Sequence, residues 1–264
     1  EKVIESHREV MTDKCINVYK DVTISEDFKE KLTQAYKKRD RILSLAQEYE
    51  RIATNEGIFS VTVEDNDYPS MWRKLQGMPR VIYCKGRREI LGNLESNGSA
   101  SIVGSRFPGS YALYATRDFA EKLSQKNIVI VSGLAIGIDR VAHETSLANK
   151  GSTIAVLAGG PDNIYPYKNK DVYSILSKEG LIISEMPPGQ KAMKQYFPSR
   201  NRLISALGDV CLIMEAGVHS GTLHTASFAA TQGKEVYVLP NSIYYDNNIG
   251  GHQLIADGAN ILID

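Results

Sequence analysis

The sequence predicts an α/β fold: an extended Rossmann-type, doubly wound, mostly parallel sheet with a small helical N-terminal segment. Two observations carry this reading. From Ser99 onward the chain repeats a buried strand, a glycine-bearing turn and a helix. The strand candidates, 100–104, 128–132, 152–158, 181–185, 209–215, 235–240 and 260–263, are β-branched and almost continuously apolar, as in strands covered on both faces. Helices fit between them at 110–126, 137–149, 168–179, 200–207, 221–232 and 250–257. Parallel neighbours need a crossover connection, so this alternation implies a parallel sheet wound in both directions.

Before Ser99 the texture differs. Residues 58–97 read as a lead-in, with strands IFSVTV and RVIYCKG flanking a Tyr68-Pro69 turn and a short helix at 71–75. Residues 1–58 are charged and lack glycine until Gly57, and apolar residues between Glu26 and Glu56 recur at three and four, the spacing of an amphipathic helix. Lys37, Lys38 and Arg39 within that run are read as a solvated face. The expected division is therefore a helical segment, 1–58, and a Rossmann domain, 59–264.

Bulk composition excludes more than it selects. Lys+Arg and Asp+Glu both total 31 in 264 residues, so general electrostatics argue against nucleic-acid binding and any phosphate site must be local. No apolar stretch approaches membrane-spanning length, and the first residues show no secretory pattern. Cys15, Cys84 and Cys211 are widely spaced, which argues against a zinc site or a disulfide framework and suits a reducing cytoplasm. No cofactor or metal is expected.

In an open parallel sheet, ligands sit beyond the carboxyl ends of the strands, near the point where strand order reverses. The residues there are Gly104-Ser105-Arg106, Ser132-Gly133-Leu134-Ala135, Ala158-Gly159-Gly160, Ser184-Glu185, Glu215-Ala216-Gly217 and Pro240-Asn241. Most are small, and several open a helix, whose free N–H groups favour an anion. Arg106, Lys168, Lys170, Arg200 and Arg202, with Lys191 and Lys194, are expected to form a basic row along this edge, interleaved with Tyr165, Tyr167, Tyr196 and Phe197. Cations beside aromatic faces suit a sugar-phosphate chain with unpaired bases; filling gaps beneath their loops is the alternative for Tyr165 and Phe197. Ser220, before Gly221 and Thr222, can hold a phosphate or cap its helix. Asp139 and His143, four apart, are expected to share one helix-stabilising hydrogen bond rather than form an acid–base pair. His219, His224 and His252 share no metal-binding spacing.

The ordered motifs VGSRFPGSY, SGLAIGIDRVAHETSL, GGPDNIYPYKNKDVY, ISEMPPG, FPSRNRLISAL, MEAGVHSGTLHTASFA, VYVLP and GGHQLIADGA resemble the DNA-processing protein A (DprA/Smf) family over roughly residues 60–264. The resemblance implies a dimeric Rossmann protein that binds single-stranded DNA and hands it to the RecA recombinase during natural transformation, without catalysis. It carries phosphate contacts onto Arg106, beside Ser105, and onto Arg200 and Arg202, beside Asn201. It matches Lys168 to a basic pocket position, and gives the pocket floor to Gly133, Gly137, Ser220, Gly221 and Thr222. Departures are Pro240-Asn241 for the family's Pro-Gly, His252 for Asn, and His224 for an apolar residue. Many members carry a C-terminal winged-helix domain, expected to be either absent or removed from a chain that stops at Asp264, and the N-terminal helices are read as a possible sterile-alpha-motif-like remnant.

Rival functions fare less well. A nucleotide phosphoribohydrolase of the related cytokinin-activating group needs a glutamate where GTLHT has Thr225. A dehydrogenase needs GxGxxG after the first strand, where GSRFPG stands, and no GxxxxGK[ST] is present for a P-loop. A sensor binding a small nucleotide in the same pocket remains open.

Overall fold

The computed structural model describes Glu30, Lys31, Gln34 and residues 38–263. The sterile-alpha-motif-like reading and most of the Lys37–Arg39 cluster's surroundings lie outside the described residues. The chain divides into two units, Glu1–Gly57 and Ile58–Asp264.

In the first unit, helix α1 (Arg39–Glu56) ends at Gly57, whose left-handed φ of 65° lets its N–H close onto the carbonyls of Ala53 and Thr54.

The second unit is built on one nine-stranded sheet. Its elements run β1 (Ile58–Thr62), α2 (Ser70–Arg73), β2 (Val81–Gly86), α3 (Ile90–Asn97), β3 (Ser99–Val103), α4 (Ser110–Gln125), β4 (Val129–Ser132), α5 (Ile138–Ala148) and β5 (Thr153–Val156). They continue with α6 (Lys170–Glu179), β6 (Leu181–Ser184), α7 (Tyr196–Leu207), β7 (Val210–Ile213), α8 (Gly221–Thr231), β8 (Glu235–Val238), α9 (Ile249–Ala256) and β9 (Asn260–Ile261). The spatial order is β1-β2-β6-β5-β4-β3-β7-β8-β9. The seven strands from β3 to β9 are parallel to one another, and the β1–β2 hairpin extends the sheet antiparallel at β6. The predicted fold class is therefore the observed one.

Alternate residues of the strands serve opposite faces, as a period of two requires. Val129, Val131, Ile154, Val156 and Ile183 join one cluster with Leu203, Ile204 and Leu207 of α7 and Ala226 and Ala229 of α8. Ile102, Ile130 and Leu212 pack instead on Ala112, Ala115 and Phe119 of α4 and Ile138 and Ala142 of α5, while Ala155 and Ile182 meet Val172, Tyr173 and Leu176 of α6. Helices thus cover both faces, which explains why the strands carry no polar alternation.

Two details of the core differ from expectation. The short helix α3 had no counterpart in the sequence reading. Asp139 and His143 do not bond to each other. His143 is fully buried, with Nδ1 2.8 Å from Thr153 Oγ1. Because the Thr153 hydroxyl donates to the Ile130 carbonyl, it accepts from the imidazole, so Nδ1 carries the proton. Nε2 has no partner. Burial, reinforced by the charge of Arg200, pushes His143 down to about 3. The folded state therefore keeps this imidazole neutral, while the unfolded chain protonates it below about pH 6.5. The unfolded state then binds more protons, so stability is lost as pH falls from about 6.5 towards 3. Urea titrations between pH 6 and 4 are expected to show the unaltered chain losing about 1 kcal/mol per pH unit more than its His143→Gln variant. Parallel losses would contradict this account.

Candidate functional site

Chain order runs outward from β3 through β4, β5 and β6, then returns to the other side of β3 with β7, β8 and β9. The reversal of strand order therefore lies between β3 and β7. A cleft of about 690 Å³ opens there, lined by residues that follow β3, β4, β7 and β8 and by one face of α7. Of the expected site residues, Ser105, Arg106, Arg200, Asn201, Ser220, Gly221 and Thr222 line it.

The wall after β3 is held in place by its neighbours. Gly137, at the start of α5, has a φ of 83°, and a β-carbon there would overlap the Ser105 carbonyl, which accepts from Ile138 N–H at 3.2 Å. At the other end of the loop, the buried Glu215 accepts from Gly109 N–H at 3.0 Å, ahead of α4. Between these anchors Arg106 is exposed and makes no ion pair among the described residues. Its guanidinium lies 5.9 Å from the centre of the Phe197 ring.

The α7 wall brings a correction. FPSRNR was expected to deliver both arginines to the cleft, with helix beginning at 200. The helix begins instead at Tyr196, because Pro198 falls in its first turn, where proline is tolerated. At about 100° per residue, Phe197, Arg200, Asn201 and Ile204 share the face towards the cleft, whereas Arg202 is turned about 200° from Arg200. Arg202 is absent from the lining and pairs with Glu185, Nη2 to Oε2, at 2.5 Å. An extended segment would have aligned the two arginines; a helix separates them.

Arg200 lines the cleft yet is only 5% exposed. Its Nη1 donates to the carbonyls of Gly133, at 2.6 Å, and Val156, at 2.7 Å. A β-carbon at Gly133 would overlap the guanidinium, so a larger residue there would displace Arg200 from these carbonyls. Burial lowers Arg200 to about 10, against the raising influence of Asp139, so it stays charged at neutral pH. Asp139 is 6% exposed and accepts from the N–H groups of Gly133 and Ala135, each at 3.2 Å. Burial raises its pKa, opposed first by Arg200. These backbone bonds, rather than His143, satisfy the carboxylate. The guanidinium also lies 5.6 Å from the Phe197 centroid. Phe197 therefore sits near two cations and, at 5.6 Å between ring centres, against the exposed Tyr165.

Lys168 is exposed but does not line the cleft. It lies in a one-turn 3₁₀ helix, Tyr167–Asn169, and its carbonyl accepts from Arg140 at 3.0 Å. Across the cleft, Ser220 caps α8 by accepting from Thr222 N–H at 3.2 Å, and Asn201 donates to the Gly221 carbonyl at 3.3 Å. Phe107, Val218, His219, His224, Asp246 and Asn247 also line the cleft, and no ligand role had been read for them. Asp246 and Asn247 follow β8, so applying the strand-end rule a few residues beyond Pro240-Asn241 would have found them. Among the described residues there is no cluster of His, Cys, Asp and Glu fit for a metal, and no helix long and apolar enough to cross a membrane.

The family model for DNA recombination-mediator protein A matches residues 59–264. The chain belongs to this family. It is 35% identical over 231 residues to DNA processing protein DprA of Bacillus subtilis, covering 88% of this chain and 74% of that one. It is 40% identical over 206 residues to Protein Smf of Synechocystis, 77% of this chain but about half, 51%, of that relative. Among solved structures, DNA processing protein A from Streptococcus pneumoniae superposes with a TM-score of 0.74 at 32% identity, covering 81% of this chain and 74% of that one. DNA processing protein A from Helicobacter pylori, whose structure describes a single-stranded DNA binding mode, gives 0.70 at 32% identity, covering 78% and 91%. The motif resemblance and the family match agree from the hairpin of β1 and β2 onward.

Proposed function

We propose that this chain binds single-stranded DNA in the cleft between β3 and β7 without altering it chemically. One observation carries the reading: the exposed, unpaired Arg106 stands at the strand-order reversal beside Phe197, a ring flanked by guanidinium groups. A cation with free donors suits a phosphate oxygen, and an aromatic face beside it suits an unstacked base, worth about 1–3 kcal/mol. Tyr165, Tyr167 and the lysines at 168, 170, 191 and 194 offer the strand a continuation beyond Phe197. The single-stranded DNA binding mode of the Helicobacter pylori relative supports single-stranded DNA as the ligand.

Catalysis is not part of the reading. Thr225, buried at the cleft wall, offers no carboxylate, and Asp139 is engaged by two backbone amides. The family resemblance extends the proposal to transfer of the strand to the RecA recombinase in the cytoplasm and to a homodimer. The outer edge of β9, with Ile261 48% and Ile263 82% exposed, supports a pairing surface.

Fluorescence anisotropy with a labelled oligothymidylate, competed by unlabelled single strand or duplex, tests the proposal. Single strands are expected to compete at least tenfold better than duplex, with no ribose phosphate released from added nucleoside monophosphates. Equal competition, or release of ribose phosphate, would contradict it.

A further inference from the structure

We infer that the start of α4 forms a second base-stacking track, by which single-stranded DNA leaves the cleft on the side away from Tyr165. This rests on the single-stranded DNA reading above and extends its path. Arg106 and Phe107 line the cleft, and Phe107 is 79% exposed. The next turns of chain present Tyr111, 50% exposed, and Tyr114, 71% exposed, followed by the exposed Arg117. Residues three apart on a helix are neighbours on one face, so Tyr111, Tyr114 and Arg117 form a line along α4, about 9 Å from first to last.

The core has no use for these rings. α4 packs on the sheet through Ala112, Ala115, Thr116 and Phe119, a face distinct from that of the tyrosines. Single exposed aromatics are ordinary on protein surfaces. Three in eight residues, starting inside a ligand cleft and bracketed by Arg106 and Arg117, are a different pattern. The rings offer faces to bases of any sequence, and the arginines offer donors to the phosphates at either end. Of the nearby acids, Asp118 is paired with Lys122 at 2.7 Å, and Glu121, one turn beyond Arg117 at the far end of the line, accepts from Gln125 at 3.3 Å. The loop after β8 flanks the same ground. Tyr245 places its hydroxyl against Gly109, just ahead of α4, and its neighbour Tyr244 is 89% exposed.

The test compares a five-nucleotide with a fifteen-nucleotide oligothymidylate on the whole chain, using Tyr111→Ala/Tyr114→Ala, Tyr111→Phe/Tyr114→Phe and Tyr165→Ala/Tyr167→Ala variants. The alanine pair on α4 is expected to bind the short strand as the unaltered chain does and the long strand roughly tenfold more weakly. The phenylalanine pair is expected to restore long-strand binding, because the ring rather than the hydroxyl carries the contact. Unchanged long-strand binding in the α4 alanine pair would overturn the inference while leaving cleft binding intact. So would a length preference removed solely by the Tyr165/Tyr167 pair. Failure of the unaltered chain to bind either oligonucleotide would overturn the inference together with the reading beneath it.

Discussion

Replacing Asp139 with asparagine is expected to destabilise the second unit by about 3 kcal/mol or more, although the side chains are nearly the same size. The carboxylate is 6% exposed and receives two backbone N–H groups, which follow β4 at Gly133 and Ala135. Hydrogen bonds to a charged group contribute roughly 1.5–3 kcal/mol each. The larger effect falls on Arg200. Its guanidinium is 5% exposed, and Asp139 is the leading influence favouring its charge. Removing that charge leaves a buried cation held by backbone carbonyls and the Phe197 ring without a carboxylate nearby, which adds to the loss. Denaturant titration of Asp139→Asn, of Arg200→Met and of the double variant reads the coupling. The double variant is expected to lose clearly less than the sum of the single losses. Additive losses, or Asp139→Asn within about 0.5 kcal/mol of the unaltered chain, would show that the two groups do not support one another.

That network also marks where the sequence was legible and where it was not. The strands from β3 to β7 could be placed within a few residues because burial on both faces leaves an unbroken apolar run that few other structures explain. The strand-end rule then located Ser105, Arg106 and the Ser220-Gly221-Thr222 turn, since it depends on topology alone. Side-chain direction was the part that failed. Arg200 and Arg202 are two residues apart, so their relation inverts between extended and helical backbone, and Pro198 hid the earlier start of α7. Lys168 had the right charge near the right strand, but the turn carrying it docks on Arg140 outside the cleft. Asp139 and His143 had helical spacing for a mutual bond, yet Asp139 instead accepts from backbone amides just upstream, at Gly133 and Ala135, and His143 bonds to Thr153 of β5. Ala135 lies as far before Asp139 as His143 lies after it, so spacing alone could not choose between a backbone amide and the imidazole.

Charge balance can now be understood locally. The chain has equal numbers of basic and acidic residues, and two of the arginines expected to grip phosphate are occupied internally. Arg200 supports the loop at Gly133 and the ring of Phe197, while Arg202 ties α7 to the end of β6 through Glu185. Arg106 is left facing solvent at the cleft.

The salt dependence of single-strand binding in Arg106→Ala and Arg202→Ala tests this division of labour most directly. A cation that neutralises a phosphate contributes about 0.7 to the slope of log affinity against log salt concentration on single strands. Arg106→Ala is expected to bind oligothymidylate roughly tenfold or more weakly, through loss of a charge-assisted hydrogen bond of about 1.5–3 kcal/mol, and to show a slope shallower by about 0.7. Arg202→Ala is expected to keep the slope of the unaltered chain. An Arg106→Ala chain with undiminished affinity and an unchanged slope would contradict the account, and a slope lost in Arg202→Ala instead would place the phosphates on another face of α7.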